Sequence, residues 1–484
     1  MGFSLGTILM QVLGFFLIPI YTRFLTPADY GILSITSVIS AIFSIICIFG
    51  MRGAISRFYY DYYNDKKELH EYLSTICLTV FSVSFSLTIL TFVFARPLFS
   101  TISPEVPFYP YIALALLIAV FGIPLNFVFI LLQVREKSFT YSLLSTTQFL
   151  LSTSAIVILI VVYHLGALGS LLGQFTVGGL FLLVGLFLLR KDIGFTFNSQ
   201  KIRETVSFGL TLVPHELAGW TTNLIDRLFL GAYTTISTVG VYSLGYQFGS
   251  LLGVITGTIN YAWFPFFMST YQESGDRAKP MFAQLTRYYT IILIFLALGI
   301  ALFSKNVIQL IANSAYYQAI PIIPVIVLAF IFDGMYYMFV SQLFLVKKTG
   351  LITFSTLSAA VLNIIMNFIL IPRYGMWGAA LATVISYGFS FTLVFHFSRR
   401  EFQIDYDYMN MAKTFALGII VFLFSLFITT TDFMIDFLLK TGLVLLYLIG
   451  LAGLGILNRK EISIAYQYSS NEFLKFRKRF TARR

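Results

Sequence analysis

Residues 18–35 read "IPIYTRFLTPADYGILSI", two strongly apolar runs that meet with almost nothing between them. Arg23, Pro27 and Asp29 stand at the seam, and Gly31 follows. A junction this short, tightened by a proline and a glycine, is a hairpin between two long helices. The same alternation of long apolar run and abrupt polar seam recurs along the chain.

Composition names the solvent. Of the 484 residues, 58% are hydrophobic, 17% aromatic and 11% charged; soluble domains carry roughly 25% charged residues. Apolar runs of about 20 residues each suffice to cross roughly 30 Å of hydrocarbon. In lipid every backbone polar group needs an internal partner, which leaves helices or closed barrels, and these runs are too long and too unalternating for barrel strands. The fold class is all-α integral membrane.

Fourteen spans can be read, near 3–22, 30–50, 72–94, 110–133, 143–163, 168–189, 206–230, 239–262, 284–304, 319–345, 351–371, 376–398, 412–431 and 435–457. With the N-terminus inside, 26 of the 32 lysines and arginines fall in cytoplasmic loops or the tail after 457. Basic residues hold loops on the cytoplasmic side, so both termini are predicted to be cytoplasmic. The net charge of +11 then belongs to that face and not to a nucleic-acid surface. The tail "EFLKFRKRFTARR" is expected to rest on anionic headgroups, a partner-binding role being the alternative.

Cys47 and Cys77 lie inside apolar runs and read as small core residues, with no disulfide. His70, His164, His215 and His396 are scattered without metal-ligand spacing, so neither a metal nor a cofactor is expected. The first run lacks a basic leader segment and continues into a second span, so no cleavable signal is expected.

An internal repeat organises the spans. Gly31, Ser34, Gly166, Gly169, Gly179 and Arg190 recur 209 residues later as Gly240, Ser243, Gly375, Gly378, Gly388 and Arg399. The register superimposes spans 1–6 on spans 7–12, and six being even, the two lobes share one orientation. The expected organisation is an N-lobe (1–191), a C-lobe (206–400), an appended helix pair (411–457) and a basic cytoplasmic tail (458–484). Two parallel six-helix lobes imply a cavity between them and alternating access.

Ionisable residues within spans are costly and mark function. Span 7, "SFGLTLVPHELAGWTTNLIDRLFLGA", places His215 and Glu216 about ten residues in, roughly 15 Å deep, behind a Pro214 expected to break the backbone. At about 100° per residue, His215, Gly219, Thr222 and Asp226 form one stripe, with Glu216, Trp220, Asn223 and Arg227 beside it. One side of this helix then faces lipid and the other a hydrated cavity, or else a buried structural ion pair. Asp333 in span 10 is either a protonated structural group or, paired with His215 or a substrate cation, a coupling-ion site. Gln148, Gln247, Asn363 and Asn367 are weaker polar marks. At the inner end of span 2, Arg52 and Arg57 among four tyrosines read as an interfacial belt or as a cationic gate for phosphate.

"PIYTRFLTPADYGI" and "FGMRGAISRFYYDYY" resemble the Wzx-type polysaccharide-biosynthesis flippases, within the MOP superfamily that also holds MATE drug exporters and the lipid II flippases. "VREKS", "VKKTG" and "YGMWGAALAT" fit the same family. The resemblance implies two six-helix lobes with a terminal hairpin, a V-shaped central cavity, and movement of an undecaprenyl-diphosphate-linked oligosaccharide across the inner (cytoplasmic) membrane, beside polysaccharide-assembly machinery. Two departures stand out. The family usually opens with a basic stretch that "MGFSLGTILMQ" lacks, so the true start is expected upstream. The apolar "FFLIPI" offers no match to the span 1 arginine of the lipid II flippases, so lipid II is not the expected substrate.

The expected substrate-contacting residues are Arg23, Arg52, Arg57, His215, Glu216, Trp220, Asn223, Asp226, Arg227 and Gln247, with Glu216, His215 and Asp333 as coupling candidates. Arg23 is expected to be a snorkelling anchor and Arg227 to rim the outer mouth. A MATE-like exporter of cationic drugs is the alternative, though Arg227 and His215 dilute the carboxylates it would need. A membrane polymerase or glycosyltransferase would need acidic catalytic groups, and the longest outer loop, "ARPLFSTISPEVPFYP", has one glutamate. No enzyme is expected.

Overall fold

The computed structural model describes residues 14, 17–94, 96, 97, 99, 103–428, 430 and 432–457. Most of span 1 and the basic tail (458–484) lie outside the described residues. The helices are α1 (Ile18–Phe24), α2 (Pro27–Ile48), α3 (Met51–Tyr62), α4 (Lys66–Phe94), α5 (Ala113–Val134), α6 (Ser138–Val157), α7 (Gly166–Leu189) and α8 (Ser199–Tyr233). Then come α9 (Ile236–Gly249), α10 (Leu251–Ser274), α11 (Lys279–Ile311), α12 (Ile323–Leu345), α13 (Thr349–Tyr374), α14 (Met376–Glu401), α15 (Tyr408–Ser425) and α16 (Phe433–Gly453). No strand occurs among the described residues.

From the second onward, each span read in the sequence falls on these helices, although α15 stops at Ser425, short of the expected 431. Joined where they abut, the described helices give 11 segments long and apolar enough to cross a membrane. The number falls below fourteen for identifiable reasons. Span 1 is largely undescribed, spans 8 and 9 merge in one segment, Ile236–Ile311, and α8 is too polar to qualify. The protein is a multi-pass α-helical membrane protein; a count of fourteen crossings and the side of each terminus remain proposals.

Local chemistry sets the helix ends. The Thr26 hydroxyl accepts from the Asp29 backbone N–H and the Asp29 carboxylate accepts from that of Thr26, each at 3.1 Å, with Pro27 in the first turn. This reciprocal cap satisfies donors that a helix start leaves open. The counterpart 209 residues on is Thr235, whose hydroxyl accepts from the Thr238 N–H at 3.3 Å. Gly166 and Gly375, the same distance apart, both adopt φ +55° just where α7 and α14 begin, a left-handed conformation that favours glycine.

The chain divides into two compact units. The first comprises Met1–Gln247, Ile308–Ala329 and Thr349–Leu393; the second comprises Phe248–Val307, Phe330–Lys348 and Val394–Arg484. These borders differ from those of the lobes inferred from the repeat, and the lobes stay a proposal.

In the first unit α5 packs along α7 and α2, and α8 runs against α13, α2 and α3. Helices α2 and α9 touch backbone to backbone. A Cβ on Gly31 would lie 2.0 Å from the Ile236 carbonyl oxygen, and one on Gly240 would lie 1.9 Å from that of Pro27. Only glycine permits that approach. The segment between α7 and α8 is strapped to α4: Gly194 N–H donates to Ser74 Oγ at 2.7 Å, and Asn198 N–H to Thr75 Oγ1 at 3.0 Å. Beyond α5, Arg135 forks onto Asp192 at 3.1 and 2.5 Å, and these hydrogen bonds raise the already high pKa of the guanidinium.

In the second unit α15 and α16 pack together, and α16 is held to α11. The Tyr447 hydroxyl donates to the Ile291 carbonyl at 3.2 Å. Lys440 reaches Asp436 at 2.6 Å and Asn306 Oδ1 at 3.1 Å, and both ions of the pair are buried. Large apolar side chains stay exposed along α16, among them Ile435, Leu438 and Ile449, as expected where the solvent is lipid.

Candidate functional site

Helix α8 carries the densest concentration of polar groups on any span. It runs 35 residues and stays helical through Pro214, correcting the expected break. A proline inside a helix removes one N–H, so the Leu210 carbonyl loses its usual acceptor role without the helix ending. Exposed positions recur every fourth residue: Arg203, Ser207, Thr211, His215, Gly219 and Asn223. Between the first and last of these the helix rises about 30 Å. A Cβ added to Gly219 would meet nothing within 4 Å, so the stripe borders open space. An open groove of about 930 Å³, with Phe58, Phe208, Arg203 and Glu204 in its wall, lies at the start of the stripe.

The other end closes on a polar cluster. Arg227 Nη1 lies 2.9 Å from Asp226 Oδ1 and also donates to the Asn223 carbonyl. The guanidinium carbon stands 4.3 Å from the Tyr246 ring centre. The Tyr242 hydroxyl donates to the second Asp226 oxygen, and that of Tyr387 donates to Asn223 Oδ1 at 2.8 Å. Asp226 is 2% and Arg227 6% exposed. A buried arginine held by a carboxylate and an aromatic face is a neutralised anchor. It is not the open rim expected of Arg227.

The remaining expected residues scatter. His215 is exposed and Glu216 half-buried, and neither side chain has a hydrogen bond among the described residues. Trp220 is buried, its indole N–H donating to the Val38 carbonyl at 3.3 Å, so it fastens α8 to α2. Gln247 accepts from the Tyr30 hydroxyl. Arg23 is exposed at the end of α1. Arg57 pairs with Asp61 at 2.6 Å on the surface of α3. Asp333 belongs to the second unit, on α12 with Tyr336 and Tyr337. No group of three or more His, Cys, Asp or Glu side chains able to hold a metal occurs among the described residues.

Arg52, itself exposed, lines a half-open cavity. A cavity of about 550 Å³ in the first unit is bounded by Arg52, Asn126, Tyr141, Ser145, Gln148 and Ser152, with apolar residues between them. Sequence reading missed Tyr242, Tyr246 and Tyr387, because tyrosine in such a chain reads first as interfacial belt. The α6 contribution was legible, since Tyr141, Ser145, Gln148 and Ser152 follow the four-three-four spacing of one helix face.

Fold and site together define a polytopic helical membrane protein with an open polar stripe along one helix. Residues 3–271, more than half of the chain, match the family described as "Polysaccharide biosynthesis protein", and the chain belongs to that family. It is 25% identical over 279 residues to an uncharacterized membrane protein of Methanocaldococcus jannaschii, covering 55% of this chain and 54% of that one. To the succinoglycan biosynthesis transport protein ExoT of Rhizobium meliloti it is 22% identical, covering 66% and 62%. The match therefore spans only about half to three-fifths of the length of these relatives. Among solved structures, the lipid II flippase MurJ in an inward closed conformation superimposes with a TM-score of 0.72 at 16% identity, covering 93% of this chain and 99% of MurJ. That likeness is one of fold.

Proposed function

We propose that this protein flips a lipid-linked oligosaccharide, carried on undecaprenyl diphosphate, across the cytoplasmic membrane for surface polysaccharide assembly. Fourteen crossings in two six-helix lobes, with both termini inside, would work by alternating access. The observation that carries the reading is the open polar stripe of α8 in a chain otherwise starved of charge. Sugar and phosphate cannot shed their water into hydrocarbon without large cost, and a hydrated helix face lowers that barrier while the isoprenoid stays in lipid. Family membership, the name of the ExoT relative and the MurJ-like fold support the same class of cargo. Arg52 and Arg57 would recruit the diphosphate. Contact of the basic tail with anionic headgroups and hand-over to polysaccharide-assembly machinery belong to the same proposal.

The test is deletion of the gene in its host, restoration with wild type, and labelling of lipid-linked oligosaccharides by leaflet. Cytoplasmic accumulation relieved by wild type is expected. Normal surface polysaccharide in the deletion strain, with no second copy of the gene, would overturn the proposal.

Coupling to H⁺ or Na⁺ is a second part, favoured by Glu216, His215 and Asp333, which lie on helices read as spans and have no side-chain hydrogen bond among the described residues. Equal flipping rates with and without an imposed gradient would remove it. A MATE-like drug exporter fits less well, because the stripe carries Arg203 and His215 and ends on a neutralised pair. A change in drug sensitivity on overexpression would revive it.

A further inference from the structure

The cavity beside Arg52 has a composition that recruitment of phosphate alone does not require. Phosphate needs cations and N–H donors, and Arg52 supplies the cation. Yet the wall also presents the carboxamides of Asn126 and Gln148 and the hydroxyl of Ser152, none of which has a hydrogen-bond partner among the described residues. Polar side chains within spans normally bond to a neighbouring helix, as the Tyr387 hydroxyl of α14 does to Asn223 Oδ1 of α8 at 2.8 Å. Those of the cavity are held in reserve for something that enters it.

Their geometry fits a sugar. A carboxamide offers one acceptor and two donors in a plane, a match for adjacent hydroxyls of a pyranose. Phe129, Tyr141 and Phe149 in the same wall give aromatic faces for its C–H surface. Helices α5 and α6 supply these groups and Arg52 comes from the start of α3, so one pocket unites a phosphate-binding cation with hydroxyl-reading amides.

We propose that this cavity is the specificity pocket for the phosphate-proximal sugar, in which Arg52 holds a phosphate oxygen while Asn126, Gln148 and Ser152 bond the hydroxyls of that sugar. The inference rests on the flippase reading. It adds that discrimination among lipid-linked glycans is made at the first sugar, by residues of the first unit other than those of the α8 stripe. A site built to bond a hydroxyl rejects a ligand lacking it far more strongly than an apolar pocket rejects a methylene.

The test is binding to the purified full-length protein in nanodiscs, with two probes: undecaprenyl diphosphate without sugar, and lipid-linked oligosaccharide extracted from the host. Asn126→Leu and Gln148→Leu should weaken the glycolipid by about tenfold or more, as the loss of a substrate hydrogen bond does, and leave undecaprenyl diphosphate within about twofold. Arg52→Gln should weaken both. Unchanged Tm in all three variants confirms that folding is intact, and Asn126→Gln and Gln148→Asn serve as milder replacements if the leucines misfold. Glycolipid binding untouched by the amide substitutions would overturn the pocket while leaving the flippase standing. Displacement of the glycolipid by phosphatidylglycerol at equal concentration would overturn it in favour of an ordinary phospholipid headgroup. Failure of wild type to bind either probe would sink the flippase reading itself.

Discussion

Ser34 and Ser243 share a hydrogen bond of 2.6 Å between their hydroxyls, and they stand 209 residues apart, the period of the internal repeat. Gly31 with Gly240 and Pro27 with Ile236 obey the same offset and meet at the same contact. Repeated positions thus lie against their own counterparts, so any motion that separates the two halves of the repeat must break this contact.

Cysteines at Ser34 and Ser243 should therefore cross-link under mild oxidation and stop transport, with recovery on reduction. Transport at the full rate by the cross-linked protein would show that the α2–α9 contact never opens. Gly31→Ala and Gly240→Ala force a Cβ into backbone and should each cost about 1–3 kcal/mol, read as a lower Tm in detergent.

Asp226 and Arg227 form a buried pair, so removing one ion strands the other. Asp226→Asn and Arg227→Gln are each expected to destabilise the protein by about 3–5 kcal/mol. The double variant should lose less than the sum of the two. Additive losses would mean that the pair is not coupled.

The terminal helix pair hangs on a second buried pair, Lys440 with Asp436, anchored by Asn306. Asp436→Asn should loosen α16 from α11 and expose residues 433–453 to protease while the rest of the chain remains resistant. Joint replacement by Asp436→Leu and Lys440→Met should restore resistance, because a matched apolar pair leaves no stranded charge. Equal resistance in wild type and Asp436→Asn would contradict this anchoring.

Acid should fray the start of α4. The Asp65 carboxylate accepts from the backbone N–H groups of Glu68 and Lys67, which hold its pKa below the ordinary 3.8. A depressed folded-state pKa means the cap stabilises above the unfolded value and is lost as pH falls through the folded one. The protection factors of the Lys67 and Glu68 amides against hydrogen exchange should fall below that point, and Asp65→Ala should lower them already at neutral pH. Protection factors in wild type that do not change down to pH 2 would contradict the role of the cap.

Much of this architecture was legible in the sequence. Span length is a local property, and helix periodicity placed His215 and Gly219 on one stripe and Asn223 on the stripe beside it, all three of which are exposed. Trp220 shows the limit. The wheel put its indole on the polar side, but a wheel says which residues share a face and not which neighbour covers it; α2 covers this one. For Arg227 the same reason holds, since its companions Tyr242 and Tyr246 come from the next helix. The pocket at Arg52 draws on three separate helices and could be seen only once they were packed.

The most direct measurement uses the purified protein in sealed vesicles that hold lipid-linked oligosaccharide in both leaflets, probed by an external enzyme that cleaves exposed glycans. With active protein the cleaved fraction should rise from about half towards completion, and Arg52→Gln should slow that rise. A fraction that stays at half with the wild-type protein, under every imposed ion gradient, would contradict the central claim that this chain moves lipid-linked sugar across the bilayer.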